Sequence, residues 1–141
     1  MNPRINYHYT VPFKLRFCYD FIRYNNVVSE ECYKHRVYPY LQTIVDHLNN
    51  NDKSRQEVIV THKQFENLAC LISIQFQIVK KKLIVIANFR SECAINGRPN
   101  DSKMLQHIAT LVMSMLELER YKIYVNVANY HERTAKNPMG Y

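Results

Sequence analysis

From Pro39 onward the apolar positions of the chain recur with clear periods. Leu41, Ile44, Val45 and Leu48 fall at the 3.6-residue spacing of an amphipathic helix, which Pro39 starts and the polar run "NNND" from Asn49 ends. "EVIVT" (57–61), "LISIQFQIV" (71–79) and "LIVIANF" (83–89) read as strands, the last two joined as a hairpin at "KKK" (80–82). The near-continuous hydrophobicity of 83–89 predicts a strand buried on both faces. Gly97 and Pro99 then predict a tight turn. After it the period becomes helical again, with Leu105, Ile108, Val112 and Leu116 marking about four turns. Asp101 or Asn100 is the natural N-cap of that helix. "YKIYVNVANY" (121–130) is a final strand with His131 at its end. The first 38 residues are rich in aromatics but lack clear periodicity, and there Phe13, Leu15, Phe17, Phe21 and Ile22 are expected to be partly buried. The order helix, strand, hairpin, helix, strand predicts an α+β domain, a mixed sheet with a long helix packed across it.

Composition narrows the class. The 141 residues, 47% hydrophobic and 22% charged, suit one globular domain spanning 1–141, and no repeat, low-complexity tract or linker divides it. No apolar run approaches the roughly 18 residues of a membrane span, and the start lacks the apolar core of a signal peptide. A soluble, cytoplasmic protein with no membrane partner is expected. Cys18, Cys32, Cys70 and Cys93 are too few for a disulfide scaffold and have no zinc-ligand spacing, so they predict reduced thiols and no metal. The formal charge of +7 with eleven tyrosines leaves nucleic acid open as a partner. Against it, the basic residues are scattered apart from "KKK", and such a run commonly forms a solvated turn.

Several short motifs recur together. "SRQ" (54–56), "AC" (69–70), "QF" (75–76), "RS" (90–91), "GRPND" (97–101) and His131 are spaced so that Gln-Phe begins five residues after Cys70 and Arg-Ser twenty. Over about residues 39–133 this pattern resembles the thymidylate synthase family, which includes the deoxycytidylate hydroxymethylases. The resemblance implies a thymidylate synthase-like fold assembled as a sheet-to-sheet homodimer. It also implies roles. Cys70 matches the nucleophile that adds to C6 of the pyrimidine, with 5,10-methylenetetrahydrofolate as one-carbon donor if the chain is catalytic. Arg90 and Ser91 match the pair that holds the nucleotide 5′-phosphate, with Arg90 the cation the motif supplies near Cys70. Arg55 matches an arginine delivered to that phosphate from the neighbouring subunit, and Gly97 the turn that lets backbone approach the base. His131 matches the histidine at the sugar 3′-hydroxyl.

Asp101 carries the specificity expectation. Family members acting on uracil resemble one another in having Asn there, and those acting on cytosine have Asp. A protonated carboxyl can donate to cytosine N3 and accept from N4, whereas an amide suits uracil. The resemblance thus implies dCMP or CMP rather than dUMP. Each residue also has a plainer reading: Cys70 as a small strand-end hydrophobe, Arg55 as a surface charge, Asp101 as the helix cap, and His131 as a solvated strand-end side chain.

The departures matter equally. Leu71 and Ala69 replace the His and Pro flanking the family nucleophile, Gln56 replaces a second phosphate arginine, and Cys93 replaces an Asp. Asn129 and Arg133 replace the Asp and Tyr around the histidine. The chain is truncated relative to the family at both ends, and no motif supports Glu30 or Glu31 as the proton-managing glutamate. The expectation is therefore a pyrimidine-nucleotide binder with degenerate catalysis. An active C5 hydroxymethylase or methyltransferase using Cys70 is the alternative, and a non-catalytic structural or nucleic-acid-binding protein the second. Compactness and aromatic content are compatible with a viral protein working in the host cytoplasm.

Overall fold

The computed structural model describes residues 4–9, 36–61, 70–93 and 97–131, without the side chains at 7–9, 93, 97–100, 130 and 131. A short 3-10 turn (Tyr38–Tyr40) with Pro39 in it leads into helix α1 (Leu41–Asn50). Leu41, Ile44, Val45 and Leu48 form its buried stripe. The helix stops where Asn51 turns extended, at φ −146° and ψ 94°, and the Asn51 Oδ1 accepts from the Lys53 amide at 3.1 Å. That local bond offers the backbone an alternative to another helical turn. His47 then ties α1 to the next strand: its Nδ1 lies 2.6 Å from Glu57 Oε1. The Ser54 hydroxyl donates to the other oxygen of Glu57 and, against the opposing effect of burial, holds the carboxyl below its usual range, with His47 adding to the effect.

Five strands form one mixed sheet. They are β1 (Ile5–Tyr9), β2 (Glu57–Val60), β3 (Leu71–Val79), β4 (Lys82–Phe89) and β6 (Tyr121–Val127), ordered β1-β6-β4-β3-β2. The β1/β6 and β6/β4 pairs are parallel; β4/β3 and β3/β2 are antiparallel. A parallel neighbour cannot be reached by a tight turn, so the chain between β4 and β6 must cross over a face of the sheet. Helix α2 (Gly97–Met115) makes that crossing. Its Leu105, Ile108, Ala109 and Val112 are fully buried in one core with Leu83, Val85, Ala87 and Phe89 of β4 and Ile123, Val125 and Val127 of β6. Two further short strands, β5 (Glu92–Cys93) and β7 (Tyr130–His131), pair in parallel beyond the carboxyl ends of β4 and β6.

β4 occupies the centre, and Ile84 on its second face is also buried, which is what the apolar run predicts. The remaining second face is amphipathic. Asn126 donates from Nδ2 to Asn88 Oδ1 (3.0 Å), and Asn88 Nδ2 to Ser73 Oγ (3.1 Å), a polar row across β6, β4 and β3. Around it Val58, Val60, Ile72 and Tyr124 are exposed, Val60 at 69%.

The two-residue hairpin loop is Lys80-Lys81, with φ of 50° and 60°. Positive φ at both central residues defines a type I′ turn, for which Asn-Gly is preferred. A lysine there carries a left-handed strain of order 1 kcal/mol per residue.

Four expectations need correction. β1 went unrecognised because its partner, β6, defines it better than its own pattern does. The strand of 121–130 is interrupted: Ala128 and Asn129 separate β6 from β7. Gly97 and Pro99 lie in the first turn of α2 rather than in a turn before it, since proline tolerates a first helical turn. Asp101 is consequently the fifth residue of the helix and not its cap. Phe13, Leu15, Phe17, Phe21, Ile22, Glu30, Glu31 and Ala69 lie outside the described residues. Among the described residues no helix is long and apolar enough to cross a membrane.

Ile108→Ala opens a cavity where helix and sheet meet, and is expected to cost about 2–5 kcal/mol in urea unfolding with an unchanged m-value.

Candidate functional site

Where the parallel strands end, three backbone hydrogen bonds gather distant segments. The Arg90 amide donates to the Cys70 carbonyl (2.9 Å), the Ala128 amide to the Phe89 carbonyl (3.0 Å), and the Glu92 amide to the Asn129 carbonyl (3.0 Å). β5 and β7 then align Cys93 with His131. Cys70, Arg90, Ser91 and the backbone of His131 thus meet at one end of the sheet. Cys70 is a half-buried thiol packed against the core, outside any disulfide, and Arg90 and Ser91 are half-buried beside it. The carboxyl ends of parallel strands are where open α/β sheets generally hold ligands.

Asp101 reaches the same end by helix geometry. It lies on the stripe of α2 that continues through Leu105, Ile108 and Val112, one turn nearer the helix start, so it is only 5% exposed. Glu92 of β5, 2% exposed, lies beside it. Burial pushes Asp101 up to about 6 from 3.8, and Glu92 opposes part of that rise.

Arg55 is not brought to this cluster. It is exposed, and its carbonyl accepts from Gln75 Nε2 at 3.1 Å. Gln75 is five residues up β3 from Cys70, roughly 17 Å away at strand rise. Gly97 starts α2, and its position next to β5 follows from the packing of α2 on β5.

Two residues at this end escaped sequence reasoning. Glu92 lies inside the recognised motif, and the signal that could have exposed it is Asp101: an acid in the apolar stripe of a helix needs a polar partner. Arg36 donates from Nη1 to the Thr61 carbonyl (2.7 Å), while the Thr61 hydroxyl donates to the Leu71 carbonyl. That places a second guanidinium at the strand end that carries Cys70, so Arg90 does not stand there as the sole cation. No motif surrounds Arg36, which left it invisible.

Two clefts, of about 560 Å³ and 400 Å³, lie elsewhere, along α1, and neither is lined by Cys70, Arg90 or Asp101. Those two clefts therefore give methylenetetrahydrofolate no place beside the thiol, and no step through it is derived. Among the described residues no group of three or more His, Cys, Asp or Glu side chains could hold a metal ion.

No family model and no curated protein matches the chain. Among solved structures, the thermostable thymidylate synthase A from Bacillus subtilis is similar at 18% identity with a TM-score of 0.52. The likeness covers 58% of this chain and 32% of that one, so the chain spans about a third of that enzyme's length. The fold is thymidylate synthase-like: a mixed five-stranded sheet with helices.

The buried carboxyl pair makes a signed prediction. A raised folded-state pKa gives stability that is complete below about 4 and is lost as pH rises through about 6. Urea unfolding of Asp101→Asn should lack this decline, so the variant gains on the wild type between those pH values by roughly 3 kcal/mol. Parallel pH profiles for the two proteins would refute the raised pKa of Asp101.

Proposed function

We propose that this chain binds a pyrimidine nucleotide at the carboxyl end of its sheet, with cytosine preferred, and performs no one-carbon transfer. The observation that carries the reading is the convergence of Cys70, Arg90, Ser91, Asp101 and the His131 backbone on one strand end. Arg90 and Ser91 suit a 5′-phosphate, since a guanidinium fork beside a hydroxyl matches phosphate oxygens. His131 is the candidate for the sugar 3′-hydroxyl, and Gly97 keeps the start of α2 slender beside the ligand. The neutral Asp101 carboxyl, favoured by burial, is the form that donates to N3 and accepts from N4 of cytosine. The thymidylate synthase-like fold supports this reading at the level of architecture.

The second face of the sheet supports a homodimer. Its exposed Val58, Val60, Ile72 and Tyr124 around a satisfied amide row have the composition of a surface that another copy covers. Arg55, remote from its own site, becomes useful to nucleotide binding only if it serves the partner's. Catalysis is thin by contrast. The thiol lacks the flanking histidine, and no proton-relay glutamate stands among the described motifs.

A thermal-shift panel tests the binding. dCMP and CMP at about millimolar concentration should raise the unfolding midpoint more than dUMP, Arg90→Ala should abolish the shift, and Cys70→Ser should keep it. Absence of any nucleotide-dependent shift sinks the reading, and Cys70-dependent tritium release from C5 of the nucleotide would replace it with the active-transferase reading.

Sedimentation velocity tests the assembly. The wild type should run as a dimer and Val60→Asp as a folded monomer with weakened dCMP binding; a wild-type monomer at about 100 μM overturns it.

A further inference from the structure

The opposite end of the sheet gathers charge that the nucleotide site does not use. Lys80 and Lys81 form the β3/β4 turn and Lys82 opens β4. Arg120 lies beside them, its carbonyl accepting from the Leu83 amide at 3.0 Å, and Lys122 follows on β6. Arg4 precedes β1, its carbonyl accepting from the Ile123 amide at 2.7 Å, and its guanidinium sits 5.1 Å from the centre of the Tyr121 ring. Six cations thus stand on four adjacent strands, and Lys53 extends them toward β2.

Among the described residues three exposed acids, Asp52, Glu117 and Glu119, oppose these seven, while Glu57 at the same end is buried against His47 and Ser54. The carboxyl ends of α1 and α2 also face this way, each worth about half a negative charge. The balance stays strongly positive.

We propose that this edge docks the phosphate backbone of a nucleic-acid duplex. Neighbouring strands are about 4.8 Å apart, so a row from β1 to β3 spans roughly 15 Å, the length of about four phosphates on one strand. A rigid line of cations fits a repeating polyanion better than a single anion. Single-strand binders add exposed rings for base stacking. Here the Tyr121 ring is buried beneath Arg4, which favours the duplex. The cleft of about 560 Å³ beside the turn, lined in part by Lys53, Lys80, Lys81, Asn49 and Asn50, gives the backbone a place to settle. The turn itself argues for use: both lysines are held at positive φ, where Asn-Gly would fold more comfortably. The chain tolerates a less stable turn and gains two outward cations.

Fluorescence anisotropy with a duplex DNA of roughly 20 base pairs tests this. Affinity should fall roughly 10²–10³-fold between about 50 and 200 mM NaCl. The paired substitution Lys80→Asn with Lys81→Gly should raise the unfolding midpoint, leave the dCMP thermal shift unchanged, weaken duplex binding about tenfold or more, and flatten the log-log salt slope by about 2. Unchanged duplex binding in that variant overturns the proposal. So does tighter binding to polyglutamate or to phosphatidylserine vesicles than to the duplex, which would assign the edge to an acidic protein or a membrane surface. Because the readout is duplex affinity, it fails or succeeds independently of mononucleotide binding.

Discussion

The parallel pairing of β4 with β6 is the constraint on which the rest of the structure depends. Parallel neighbours point their carboxyl ends the same way, and the connection between them has to climb over one face. One pairing therefore accomplishes three things. It lays α2 on the sheet and so closes the core of Ile108, Val112, Val85 and Ile123. It carries Arg90 and Asn129, nearly forty residues apart, to the same strand end. It also returns the start of α2 to β5, where Asp101 meets Glu92. β3, running antiparallel, brings the opposite terminus of its strand, Cys70, to the same place.

Asp101 shows where stability and chemistry diverge. The helix stripe that buries Leu105 and Ile108 would be served best by another apolar side chain one turn earlier. An acid there is tolerable because burial raises its pKa and favours the neutral form; two ionised carboxyls at 2% and 5% exposure would repel and lack water. Local rules broken at a core position are concentrated at functional sites in natural proteins. The same burial limits the site, since a carboxyl 5% exposed can be reached by a ligand only from the open end of the sheet.

Legibility in the sequence followed periodicity. α1 and strands β2, β3 and β6 announce themselves because one face of each is buried and the other is not, which writes a period of 3.6 or 2 into the residues, and β4 announces itself by a near-continuous apolar run. β1 carries the alternation only briefly, as Ile5, Tyr7 and Tyr9 in "INYHY", and its place as a strand is fixed by its register with β6, a nonlocal fact. The start of α2 was misplaced by the usual meaning of Gly and Pro as turn residues, which here yields to a proline tolerated in the first turn. For the site, residues next to the recognised motif were visible and those outside it were not. Arg36 belongs to the strand end only because Thr61 bridges it to Leu71, and no spacing rule encodes a hydrogen bond across twenty-five residues.

The sheet separates two electrostatic tasks by length. At its carboxyl end the half-buried Arg90 and Arg36 share the strand terminus with the buried acids Asp101 and Glu92, an arrangement that suits the small charged ligand proposed above. At its amino end the turn lysines Lys80 and Lys81 are exposed, so their field reaches outward and is moderated by salt. Placing both at one end would have let the surface lysines compete for the phosphate and lowered the proton affinity of Asp101 through nearby positive charge. Strands of seven to nine residues hold the two ends roughly 25 Å apart, well beyond a Debye length in physiological salt. The length of the central strands therefore lets one small chain keep a carboxyl of raised pKa and a strongly basic edge without either spoiling the other.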